Sequence, residues 1–118
     1  MPQHNPEKYL YDIHESAGNI LNFVAGKTFD DYSSDIMLKS AVERQFEIIG
    51  EALKQLLEKY PDYKPKITNP PRIISFRNRL IHGYSSVSDE VVWGVIKKNL
   101  PILKSEINRL LKYTDGTK

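Results

Sequence analysis

The chain of 118 residues contains no cysteine. That excludes a disulfide framework, a zinc-thiolate site, an iron–sulfur cluster and a thiol nucleophile. No apolar run approaches the roughly 20 residues that a membrane helix needs. Met1-Pro2-Gln3-His4-Asn5 lacks the basic-then-apolar layout of a signal peptide, so a cytoplasmic protein with no membrane partner is expected. The length has room for one core, and residues 1–118 read as a single helical domain. A cleft that needs two lobes must then come from a second copy or a partner.

The net charge of +2 hides an asymmetry. Residues 1–61 carry 6 basic and 10 acidic side chains, a balance of −4; residues 62–118 carry 11 and 5, a balance of +6. A basic C-terminal half suits an anionic ligand there.

Apolar residues recur with helical spacing and nowhere alternate as in a strand. The first stripe, Leu10, Ile13, Ala17, Ile20, Leu21 and Val24, predicts a helix from Pro6 to Ala25 that Gly26 ends. Thr28 and Asp31 stand at N-cap and N3 of a short turn. A second helix is expected from Ser33-Ser34-Asp35 to Leu57 or Lys59, with Ile36, Val42, Phe46, Ile49, Leu53 and Leu56 as its stripe. Gly50 in its middle costs about 1 kcal/mol relative to alanine, which points to another backbone passing close by.

Four prolines between Pro61 and Pro71 exclude a regular helix there. A third helix is expected over Arg72 to His82, with Gly83 ending it. Ser88 caps a fourth, whose stripe is Val91, Val92, Val95, Leu100, Leu103, Ile107, Leu110 and Leu111. Pro101 inside that stripe should kink or divide it. The fold class is therefore all-α, an up-and-down bundle of four to five helices, with a frayed tail from Tyr113 onward.

The chemistry concentrates between Arg72 and Tyr84. At about 100° per residue, Ile73, Phe76 and Leu80 share a core face, while Asn78 and His82 lie nearly opposite and Arg77 lies on the flank. Arginine matches phosphate oxygens with planar donors, and histidine can exchange a proton with a ribose hydroxyl near neutral pH. Arg77 and His82 differ by about 140° around the axis, so one copy cannot easily aim both at one point. Two copies about a two-fold axis could.

Arg77-Asn78-Arg79-Leu80-Ile81-His82-Gly83-Tyr84 resembles the Arg-x4-His-x-Tyr motif of HepT-like HEPN-domain toxins. Ala41-Val42-Glu43-Arg44 and Ile48-Ile49-Gly50-Glu51-Ala52 are similar to that family's second helix. Trp93 and Leu100-Pro101-Ile102-Leu103 are similar to its last helices, and the likeness spans roughly residues 8–112. The resemblance implies a metal-independent endoribonuclease, needing no cofactor for cleavage, that works as a homodimer with its cleft at the two-fold interface. It implies that Arg77 binds the scissile phosphate of an RNA substrate and that His82 moves the proton of the 2′-hydroxyl. Asn78 would orient the phosphate or His82, and Arg79 either adds phosphate contacts or is solvated. The products would be 2′,3′-cyclic phosphate and 5′-hydroxyl ends. The family's partner is a minimal nucleotidyltransferase antitoxin that uses ATP to place AMP on the motif tyrosine, here Tyr84.

Two other functions fit the same residues: a non-catalytic helical subunit that partners a nucleotidyltransferase, and a nucleotide-binding module. Glu43, Glu47 and Glu51 share a helix face that could hold a divalent ion or simply be solvated, with Glu51 the candidate to brace the motif helix. His4, His14, Tyr9, Tyr11, Tyr60, Tyr63 and Tyr113 are read as surface or packing residues, and Trp93 as an anchor of the core or of a dimer interface.

Overall fold

The caps written in the sequence set the element boundaries of the computed structural model, which describes residues 5–82 and 87–114, apart from the side chains of residues 113 and 114. Helix α1 runs Pro6–Val24, and Gly26 follows it at φ +74°. Thr28 and Asp31 form a reciprocal capping box at the start of α2, Phe29–Ser33. Asp35 caps α3, Ile36–Lys59, through the Leu38 amide. A 3-10 turn over Pro61–Lys66 occupies the proline-rich stretch.

Helix α4 runs Pro70–His82, two residues earlier than the sequence suggests. Both prolines fit its first turn, where amides lack helical partners in any case. The expected stop at Gly83 lies outside the described residues.

Ser88 caps α5, Asp89–Gly94, which continues through a π-helical turn, Val95–Asn99, into α6, Leu100–Thr114. Pro101 would press its ring on the carbonyl four residues back, and the turn before it has widened. The expected break is thus a bulge inside one rod. Counted as rods, the described residues make four long helical pieces plus short α2, and they contain no strand. The all-α bundle read from the sequence holds. Residues 115–118 of the expected tail lie outside the described residues.

Helices α1 and α3 pack along each other; α6 lies on α1 and α4 on α3. Leu10, Ile13, Ile20, Val42, Ile49, Leu53, Leu56, Ile96 and Ile107 are fully buried between them. Two residues assigned to the stripes are exposed. Ile36 is 76% exposed because a six-residue step places it about 240° from Val42, and Leu38 faces the core instead. Val91 stands one residue off the buried face, at 44% exposure.

Short α2 joins α3 to α5. Tyr32 is buried against Trp93 at 5.5 Å, and Phe29 meets the same indole edge-on at 6.3 Å. Trp93 is therefore an anchor of this chain's own packing. Beside it, Asp89 accepts hydrogen bonds from Ser33 Oγ at 3.1 Å and Lys39 Nζ at 3.2 Å.

Glu43 adjoins this node half-buried. Burial pushes its carboxyl above the ordinary value of 4.5, Asp89 and Glu47 add to the rise, and Lys39 opposes it. The folded state therefore binds the Glu43 proton more tightly than the unfolded chain, and stability falls as pH rises above about 4.5. Glu43→Gln is expected to melt a few degrees higher than the natural chain at pH 7, with the gap closing near pH 4. Thermal melts at the two pH values check this; an equal gap at both contradicts it.

Candidate active site

Two grooves flank α4, because the helix packs mainly on α3 and leaves its other sides open. The first, about 460 Å³, lies where α1, α3 and α4 meet and is lined by Lys8, Arg44, Glu47, Glu51, Gln55, Arg77 and Ile81 among others. The second, about 270 Å³, lies between α4 and the α5–α6 rod and is largely apolar, with Phe46, Ile73, Phe76 and Leu103 in its walls. The residues expected on α4's core face, Ile73, Phe76 and Leu80, are half-buried against the core. Phe76 meets Phe46 edge-on at 5.1 Å.

Arg77 enters the first groove with its side chain only 20% exposed. Its stem lies on Gly50 of α3. A methyl group at Gly50 would overlap the Arg77 Cβ and Cγ and come within 3.1 Å of Cδ. Gly50 thus accommodates an arginine stem, rather than the backbone that its cost in mid-helix suggested.

The guanidinium is held at both ends. Arg77 Nη2 donates to Glu51 Oε1 at 2.6 Å, and Nη1 donates to Asn78 Oδ1 at 2.8 Å. Arg77 Nε is buried without a hydrogen-bond partner among the described residues. Gln55, one turn along α3, donates to Glu51 Oε2 at 3.0 Å. The Gln55 hydrogen bond holds the Glu51 carboxyl below the usual carboxylate range; burial opposes it, and the charges of Arg77 and Lys54 add to the lowering.

Asn78 and His82 are exposed, one turn apart, on a ridge between the two grooves. Arg79 is also exposed and lines the second groove, on the other side of the ridge from Arg77. One copy therefore brings together Arg77, Asn78 and Glu51, and leaves His82 at the helix end facing outward. Tyr84 lies outside the described residues, as does His4.

The three carboxylates on α3 have separate surroundings. Glu43 sits by the Asp89 node, Glu47 pairs with Arg44 at 3.4 Å, and Glu51 pairs with Arg77. No group of three or more His, Asp or Glu side chains among the described residues could hold a metal ion.

The family model described as "Ribonuclease HepT-like" matches residues 13–110. The chain belongs to the HepT-like ribonuclease family. A Methanocaldococcus jannaschii protein named "Putative RNase" is 32% identical over 98% of this chain and 95% of its own length. The "Probable ribonuclease HepT" of Thermococcus cleftensis is 36% identical over 88% of this chain and 94% of its own. Another M. jannaschii relative, named "Gamma-glutamylcyclotransferase and putative RNase", is 36% identical and matches this chain over 49% of its length. No solved structure matches.

Membership in the HepT-like family makes this protein a ribonuclease of the HEPN type. Its all-helical architecture agrees with a HEPN bundle. Gln55, which donates to Glu51, is not among the candidate residues that the sequence pattern singles out. The signal for Gln55 is its position one turn beyond Glu51 on the same face of α3.

Proposed function

We propose that this ribonuclease is the toxin of a toxin–antitoxin pair, and that it cuts RNA without a metal ion at a cleft shared by two copies. The observation that carries the reading is the seating of Arg77: a largely buried guanidinium fixed in a groove beside an exposed Asn78 and His82.

In the proposed step, His82 takes the proton of a ribose 2′-hydroxyl, and the 2′ oxygen attacks the adjacent phosphorus. Negative charge grows on the phosphate oxygens, where Arg77 stabilises it. The bond from phosphorus to the 5′ oxygen breaks, and the protonated imidazole returns its proton to that oxygen. A 2′,3′-cyclic phosphate and a 5′-hydroxyl result, with protons and electrons balanced and no cofactor consumed. Because the ridge turns His82 away from the Arg77 groove, the second copy completes the cleft.

Control falls to Tyr84, two residues past His82. A minimal nucleotidyltransferase partner transfers AMP from ATP to its hydroxyl. The added phosphate then competes for the charge that holds RNA, and the adenosine fills the groove.

Expression of the chain is expected to arrest bacterial growth, and co-expression of the nucleotidyltransferase to relieve the arrest. Tyr84→Phe, which keeps the ring but lacks the acceptor hydroxyl, should remain toxic beside the same partner. Relief of the Tyr84→Phe variant to the same degree would overturn the tyrosine switch.

A further inference from the structure

A guanidinium has five N–H groups, and the pairs around Arg77 leave a specific set of them free. Glu51 takes one hydrogen of Nη2 and Asn78 one of Nη1. Three N–H groups remain without a partner among the described residues, the buried Nε–H and one on each terminal nitrogen, and the two terminal ones can donate to phosphate oxygens. Glu51 can therefore hold Arg77 and leave it able to bind.

The carboxylate is itself fixed, since Gln55 occupies its other oxygen at 3.0 Å. Its side chain is 47% exposed, and so open an ion pair adds little to folding. Arginine only donates, so the Asn78 atom facing it must be the oxygen, and the Asn78 amide nitrogen points away from Arg77. The order Gln55, Glu51, Arg77, Asn78 thus runs from α3 to the exposed edge of α4.

We infer that Glu51, itself held by Gln55, is a positioning residue: it locks the Arg77 guanidinium, and through it the Asn78 amide, in the orientation that receives the scissile phosphate. The inference rests on the ribonuclease reading. Glu51 touches no substrate in this account. Its negative charge also offsets part of the Arg77 charge, so position and affinity respond in opposite directions when it is removed.

The test is steady-state cleavage of a fluorescently labelled single-stranded RNA by the full chain, together with nitrogen NMR of the Arg77 guanidinium. Glu51→Ala is expected to lower kcat about 10- to 100-fold, as small misplacements of a catalytic group do, with KM unchanged or lower. Glu51→Gln keeps an oxygen acceptor and the side-chain size, and should recover most of kcat. Rotation about the Arg77 Cζ–Nη bonds should be hindered in the natural chain and in Glu51→Gln, and free in Glu51→Ala.

A Glu51→Ala variant with undiminished kcat overturns the inference, because Glu51 would then only screen charge. Equal rotation of the guanidinium in all three proteins overturns it as well. Absence of RNA cleavage by the natural chain defeats the ribonuclease reading instead; the NMR comparison still decides whether Glu51 fixes Arg77.

Discussion

His82→Ala and Arg77→Ala each reduce RNA cleavage by about 10²-fold or more, while the fold persists. His82 is exposed at the last position of α4, where a protonated ring favours the helix dipole by at most about 1 kcal/mol. The loss on substitution therefore falls on proton transfer, to which a placed acid–base group contributes about 10²–10⁴-fold. Arg77 is the group aligned with the charge that grows on phosphate, and removal of one such donor costs about 10²–10³-fold.

Arg77→Lys separates position from charge. An ammonium keeps the positive charge, but it lacks the planar fork that reaches Glu51 and Asn78 together. The lysine variant is expected to bind RNA measurably while its kcat stays near that of Arg77→Ala. Binding by fluorescence anisotropy beside single-turnover cleavage checks this. A lysine variant with full kcat contradicts the seated-arginine account.

The second large effect comes from adding one methyl group. On helix propensity alone, Gly50→Ala stabilises α3 by about 1 kcal/mol. Here the new methyl meets Arg77 at Cβ and Cγ, the atoms nearest the α4 backbone, which cannot swing aside as a side-chain tip could. Helix α4 must shift away from α3, at the cost of overpacking, about 1–3 kcal/mol. Gly50→Ala is therefore expected to lower the melting temperature and to cut kcat about 10²-fold by displacing Arg77. Arg77→Ala does not relieve the stability loss, because its own Cβ remains in the overlap; Arg77→Gly does. Melting temperatures of the single and double variants form the cycle that measures it. A Gly50→Ala protein more stable than the natural chain, with full activity, would show that the seat is not tight.

These particulars show what could be read from the sequence. Helix starts were legible because a cap is a local event: Thr28 with Asp31, Asp35 and Ser88 need only their own next turn. The buried stripes were legible where the spacing was three or four residues. They misled at Ile36, where a six-residue step was counted as one face, and at Val91, beside the true buried position Val92. The widened turn before Pro101 was visible only as a proline in a helical pattern, which does not say whether a helix breaks or bulges.

The site was partly legible for the same physical reasons. Arg77, Asn78 and His82 lie within six residues of one helix, so periodicity alone placed them around its axis. Glu51 and Gln55 are on another helix, and their contact with Arg77 depends on how α4 lies across α3. Gly50 held that information, since a costly glycine in a long helix marks a close approach. What approaches it is a fact of tertiary packing.

The central claim is tested most directly by incubating total RNA with the purified chain in EDTA, beside His82→Ala, and mapping the ends produced. The account predicts cleavage by the natural chain to 2′,3′-cyclic phosphate and 5′-hydroxyl ends, and none by the variant. Protein shown by mass spectrometry to be unmodified at Tyr84 that leaves RNA intact, or a His82→Ala variant that cuts as well as the natural chain, would contradict it.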